Sequence, residues 1–115
     1  MARIDLLQGN LEMMILRILS GGPQHGWGVA QKIHLLSADA LKIEEGSLYL
    51  ALYRMQRKGW IKAEWDQSEN NRRARYWELT KAGRKRLEES TTAWDRLCAA
   101  IATVMRAEAS ASDKP

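Results

Sequence analysis

The chain has 115 residues, 45% of them hydrophobic and 28% charged, enough apolar material for one soluble core. Eighteen Lys and Arg against fourteen Asp and Glu leave a net charge of +4, and a single cysteine, Cys98, allows no disulfide within the chain. A disulfide-stapled secreted domain, a transmembrane protein and a large multi-domain enzyme are therefore excluded, since apolar stretches such as 97–105 fall far short of the ~20 residues of a membrane span, and the reducing cytoplasm is the expected compartment.

Leu7, Leu11, Met14, Ile15, Ile18 and Leu19 recur at helical spacing, with Glu12 and Arg17 expected on the opposite side. Ser20-Gly21-Gly22-Pro23 ends this first helix, because glycine suits a C-terminal cap and proline cannot continue the hydrogen-bond ladder. Val29, Ile33 and Leu36 imply a second helix that starts at His25 or Gly26, and residues 37–40 form a connector. Gly46-Ser47 opens a third helix. Leu48, Leu52 and Met55 give its buried stripe, while Tyr49, Leu50, Tyr53, Arg54 and Arg57 occupy the other faces. Lys58-Gly59 closes it, with cations at the negative end of the helix dipole.

The period then shifts from 3.6 to 2. Residues 60–65 and 74–79 alternate and are rich in aromatic and aliphatic side chains, and an all-polar tip, 66–73, lies between them. A lone hairpin is marginal in water, so this one must lean on the helices, with Trp60, Trp65 and Trp77 as the packing residues. Thr80 is a good N-cap for a last helix through Leu87, Trp94, Leu97, Cys98, Ile101, Val104 and Met105, about 40 Å long at 1.5 Å per residue. The small polar tail 108–115 is expected to be disordered.

Charge is segregated along this order. Residues 54–86 carry eleven basic side chains and four acidic ones, and the rest of the chain is net acidic. That is the footprint of a nucleic-acid binder, although a merely solvated basic surface has the same signature. The element order is that of a winged helix-turn-helix, a mainly α fold with a small β-hairpin. A helix fits the B-DNA major groove, and a basic wing lies along phosphates or reaches into a minor groove. The expected organisation is a DNA-binding unit over 1–80, a dimerisation helix over 81–107 and the tail.

Particular stretches carry a family likeness. They are Leu11-Glu12-Met13-Met14-Ile15-Leu16, His25-Gly26-Trp27-Gly28-Val29, Gly46-Ser47-Leu48-Tyr49-Leu50-Ala51-Leu52, Lys58-Gly59-Trp60-Ile61, and above all Arg75-Tyr76-Trp77-Glu78-Leu79-Thr80-Lys81-Ala82-Gly83. In this order the chain resembles PadR-like transcriptional regulators over nearly its whole length, in the short subclass with one C-terminal helix. The resemblance implies a bacterial homodimeric repressor paired through that helix. Trp27 stands where the family often has Tyr, so a hydroxyl contact to phosphate is missing there.

Candidate DNA contacts on the third helix are Arg54 and Arg57 on its outward face, Tyr53, and Ser47 and Leu50 near its N-terminus, the part that reaches base edges in this motif. Ser47 could instead cap the helix, and Tyr49 could pack rather than touch phosphate. His25 lies at a helix start, where backbone N–H groups favour phosphate. Arg72, Arg73 and Arg75 are the wing candidates, with Arg75 and Trp77 on one face and Tyr76 and Glu78 on the other. The expected dimer seam comprises Leu11, Leu87, Trp94, Leu97, Cys98, Ile101, Val104 and Met105. Trp94 is either an anchor in that seam or, as in relatives that bind drugs or phenolic compounds, a platform for a flat aromatic effector, with small alanines beside it leaving room.

No enzyme inventory is present. His25, His34 and Cys98 lack metal-ligand spacing, no glycine-rich phosphate loop occurs, and Glu44-Glu45 fits a helix N-terminus better than a catalytic pair. No cofactor, catalytic residue or metal is expected. The main expectation is a homodimeric repressor on a palindromic duplex operator, released by a small effector. The alternative is a winged-helix module that meets a protein through the same helix face, with RNA binding as a variant.

Overall fold

A computed structural model describes residues 7–67 and 73–107, with only the backbone described at 66, 67, 73 and 74. Its elements run α1 (Gln8–Leu19), β1 (Gln24–His25), α2 (Gly26–Leu36), α3 (Glu45–Arg57), β2 (Ile61–Gln67), β3 (Arg73–Leu79) and α4 (Lys81–Arg106). The architecture is the winged helix-turn-helix with a long final helix. The described strands form one antiparallel sheet in the order β1-β3-β2. The hairpin is longer than the alternation predicts, extending to Gln67 and from Arg73.

The core gathers one stripe from each element of the N-terminal unit: Ile15, Leu16 and Leu19 of α1, Val29 and Ile33 of α2, Leu48, Leu52 and Met55 of α3, and Ile61, Trp77 and Leu79 of the wing. Trp77 is wholly buried, and replacing such a ring with alanine costs about 3–5 kcal/mol. The helices therefore support the hairpin through its inner face, as its marginal stability requires. The two-residue β1 was not anticipated. It pairs Gln24 with Trp77 and His25 with Tyr76, so the chain entering α2 is stitched to the wing.

Three helix-facing expectations are corrected. Glu12 lies inside rather than opposite the apolar stripe, because positions 12, 16 and 19 share the face that meets α3. Leu7 and Leu36, read as stripe residues, are 72% and 74% exposed, each at a helix end where the neighbouring helix no longer covers it. Leu11, assigned to the dimer seam, is buried in this chain's own core.

The joins follow sequence chemistry closely. Gly59 adopts φ +79° after α3, and the Gly59 and Trp60 N–H groups donate to the Gln56 and Met55 carbonyls, a Schellman cap that glycine alone accommodates without strain. Thr80 caps α4 as expected, its hydroxyl accepting from the Gly83 N–H at 3.0 Å. A Cβ at Gly83 would collide with the Trp60 carbonyl oxygen, so this glycine lets α4 start flush against the α3–β2 join. α4 then leaves the core. From Thr91 to Ala107 nearly every residue is exposed, and the molecule measures 69 × 35 × 21 Å. The expected tail 108–115 lies outside the described residues.

Candidate nucleic-acid interface

The site is built on α3. Its stripe Leu48–Ala51–Leu52–Met55 is completely buried, which fixes the rotation of the helix and turns the opposite side outward. Leu50 is 66% exposed and Tyr53 41% exposed, and Gly46, Ser47 and Arg57 are exposed on the same side. Glu44 occupies the N-cap position and Glu45 the first turn, where carboxylates suit the positive helix end. The capping alternative for Ser47 therefore falls, because Ser47 sits within the helix with its side chain exposed.

Arg54 departs from expectation. Its Nε donates to the Glu12 carboxylate at 3.1 Å, and the two side chains are only 27% and 8% exposed. The expected outward guanidinium is thus turned toward α1 and ties the two helices together. The buried Glu12 carboxylate on α1 is the partner that turns it inward.

Tyr49 is half-buried against Gly26, where a Cβ would press to within 2.9 Å of the ring. Burial, then the negative charge of Glu45, and then Tyr53, raise its phenol above the ordinary 10.0. Tyr49 packs, and it holds α2 at its distance from α3. His25 is the N-cap residue of α2 and is also half-buried, its ring 4.0 Å from that of Tyr76.

On the wing, Arg72 lies outside the described residues, and of Arg73 only the backbone is described. Arg75 is well placed in the structure, but not as a free cation. It sits over the rings of Tyr53, Trp65 and Trp77 at 5.6, 5.6 and 5.1 Å, and its Nη1 donates to the Tyr53 hydroxyl at 3.3 Å. Trp65 stands opposite Arg75 in the register and is 57% exposed, so it covers the guanidinium instead of packing hairpin on helix as expected. Trp60 is partly buried and flanked by Lys58 and Arg86 at 4.7 and 4.9 Å.

The remaining candidates lie on α4. Leu87 packs against the core. Trp94, Leu97, Ile101, Val104 and Met105 are 44–76% exposed, and Cys98 is exposed. Trp94 and Leu97 border a groove against α1 that also includes Asn10, Met13, Arg86 and Ser90. Among the described residues no group of His, Cys, Asp or Glu could hold a metal ion, and no helix is long and apolar enough to cross a membrane.

The sequence profile of the transcriptional regulator PadR-like family matches residues 15–89, from the second half of α1 into the first turns of α4. The chain belongs to this family. DNA-binding regulation of transcription is therefore its family function. It is similar to a PadR-like transcriptional regulator from Bacillus cereus, at 27% identity and a TM-score of 0.76 over 89% of this chain and 97% of that one. A PadR family transcription regulator from Clostridium difficile is also 27% identical, with a TM-score of 0.72 over 83% of this chain and 97% of the other. An uncharacterised protein from Lysinibacillus sphaericus is 27% identical over 94 residues, covering 82% of this chain and 86% of that protein.

Two features around α3 escaped the sequence reading: the Glu12–Arg54 pair and the aromatic surround of Arg75. The first had a signal in Glu12, Leu16 and Leu19, spaced i, i+4 and i+7 on one face. The second had one in the alternation that places Trp65, Arg75 and Trp77 on the same side of the hairpin.

Proposed function

We propose that the chain is a homodimeric repressor that binds a palindromic duplex operator and leaves it when a small aromatic effector binds. The observation that carries this reading is the outward side of α3, where Ser47, Leu50, Tyr53 and Arg57 are exposed and Tyr53 meets Arg75 of the wing; the wing candidates Arg72 and Arg73 add positive charge in the sequence beside it. In this reading Ser47 and Leu50, toward the helix N-terminus, meet base edges and Arg57 meets phosphate. Arg54, already paired, positions α3. His25 and Tyr49 shape the α2–α3 unit instead of contacting DNA.

What supports the dimer is α4. Its apolar residues Trp94, Leu97, Ile101, Val104 and Met105, with Cys98 among them, make an exposed face too extended for a lone soluble helix. Pairing two copies through it gives a closed two-fold dimer, which presents two α3 helices to successive major grooves and demands a palindrome. An effector stacked on Trp94 in the groove against α1 would alter the angle at which α4 leaves the core, and with it the spacing of the two α3 helices.

The test is binding of the purified protein to a duplex from its own promoter region, across a salt series. With roughly six phosphates neutralised, log affinity falls against log salt with a slope near −5. A flat response, or equal binding to every duplex offered, refutes the reading and favours the protein-interaction module.

A further inference from the structure

We propose that Arg75 is a positioning residue of the DNA interface: it locks the wing onto α3 and turns the Tyr53 hydroxyl outward as the donor to a backbone phosphate. The proposal rests on the DNA-binding reading above and deepens it by reassigning two of its residues.

The guanidinium of Arg75 has the wrong surroundings for a phosphate fork. Three aromatic rings lie 5.1–5.6 Å from it, one from α3, one from β2 and one from β3 itself. Its Nε is buried and meets no acceptor among the described residues, and Nη1 is committed to Tyr53. Because Nε is buried, the side-on fork that pairs it with a terminal nitrogen cannot face a phosphate, and one Nη1 proton is already taken by Tyr53. What the surround does provide is a joint. Tyr53 is edge-on to Trp77 at 5.8 Å, Trp77 is wholly buried, and Arg75 bridges both to Trp65 at the outer part of the hairpin. These contacts tie the wing to α3 at residues distant from the join between them.

The direction of the hydrogen bond gives Tyr53 its role. Arg75 donates, so the phenol oxygen accepts, and the phenol keeps its own proton for another partner. A hydroxyl that accepts from a cation is the stronger donor for it. Tyr53 stands on the outward side of α3 with Leu50 and Arg57, and a phosphate oxygen is the acceptor that a duplex laid on that side brings there. Lysine cannot replace Arg75, because an ammonium lacks the planar faces and the fixed fork of donors that a guanidinium offers to rings and to the Tyr53 hydroxyl.

The test uses the full chain and four variants, Arg75→Lys, Arg75→Gln, Tyr53→Phe and Arg75→Gln with Tyr53→Phe, on the promoter duplex across salt. The expected result is that Arg75→Lys, despite its retained charge, loses about tenfold in affinity with an unchanged salt slope. Arg75→Gln should add less than about threefold to the loss already caused by Tyr53→Phe, since the two share the hydroxyl and only the hold on the wing remains to be lost. If Arg75→Lys binds as the parent does, or if Arg75→Gln flattens the slope by about 0.9, Arg75 contacts phosphate itself and the proposal is overturned. The joint is measured without DNA. Amide exchange in the outer part of β2 and β3 should quicken about tenfold in Arg75→Gln while α1 is unchanged, and unchanged exchange in the hairpin also overturns the proposal. A parent protein that binds no duplex would instead remove the DNA-binding reading, with the exchange result still deciding whether Arg75 holds the wing.

Discussion

Removing either member of the Glu12–Arg54 pair should destabilise the fold, but unequally. Arg54→Ala leaves the Glu12 carboxylate, whose side chain is only 8% exposed, without its cation on the inner face of α1. An uncompensated buried charge of this kind costs about 3–5 kcal/mol. Glu12→Ala leaves Arg54, which is 27% exposed and long enough to swing its guanidinium into water, so the loss is nearer the 1–3 kcal/mol of a broken buried hydrogen bond. The double variant should cost less than the sum of the two, because neither charge is then stranded. Replacing both residues with leucine should come close to the parent, as apolar substitution of buried ion pairs often does. Urea unfolding followed by circular dichroism, at one fixed protein concentration to hold any self-association constant, measures all four. If Arg54→Ala and Glu12→Ala both lie within about 0.5 kcal/mol of the parent, as surface substitutions do, the pair is not the inter-helix tie described here.

Other consequences follow from the same structure. Ile101→Asp on the exposed face of α4 should convert a dimer to a monomer in sedimentation without lowering the helix content of the N-terminal unit; an unchanged mass would place the dimer contact elsewhere. Arg57→Ala should weaken duplex binding at every sequence alike and reduce the salt slope by about one phosphate's worth, ~0.9. Tyr49, raised by burial above its ordinary 10.0, contributes stability that is complete below that pH and lost as the pH climbs through the raised value. Alkaline unfolding of Tyr49→Phe should therefore lack that component, and identical alkaline profiles would count against the burial of the phenol.

Much of this fold is legible in the sequence because its signals are local. The stripe Leu48–Leu52–Met55, the Gly59 cap, the alternation around Trp77 and the Thr80 cap depend on residues within a few positions of one another, and each appears as expected. What the sequence conceals is pairing over distance. Glu12 and Arg54 are 42 positions apart, and only the packing of α1 on α3 brings them together. β1 is two residues long and exists only because β3 is there to pair with it. Leu11 and Leu97 both look like apolar residues on amphipathic helices, but one is covered by its own chain and the other is 57% exposed. Arg75 reads as a free wing cation because alternation tells which side of a strand a residue takes, not what stands across from it.

The most direct measurement is a hydroxyl-radical footprint of the promoter duplex with the parent protein and with Ile101→Asp. Two α3 helices held by paired α4 helices should protect two backbone stretches related by a dyad, with centres about 34 Å or a multiple of it apart, and Ile101→Asp should abolish the paired pattern at the same protein concentration. A single protected stretch with no dyad, or a pattern indifferent to Ile101→Asp, would contradict the two-fold presentation of α3 and its wing.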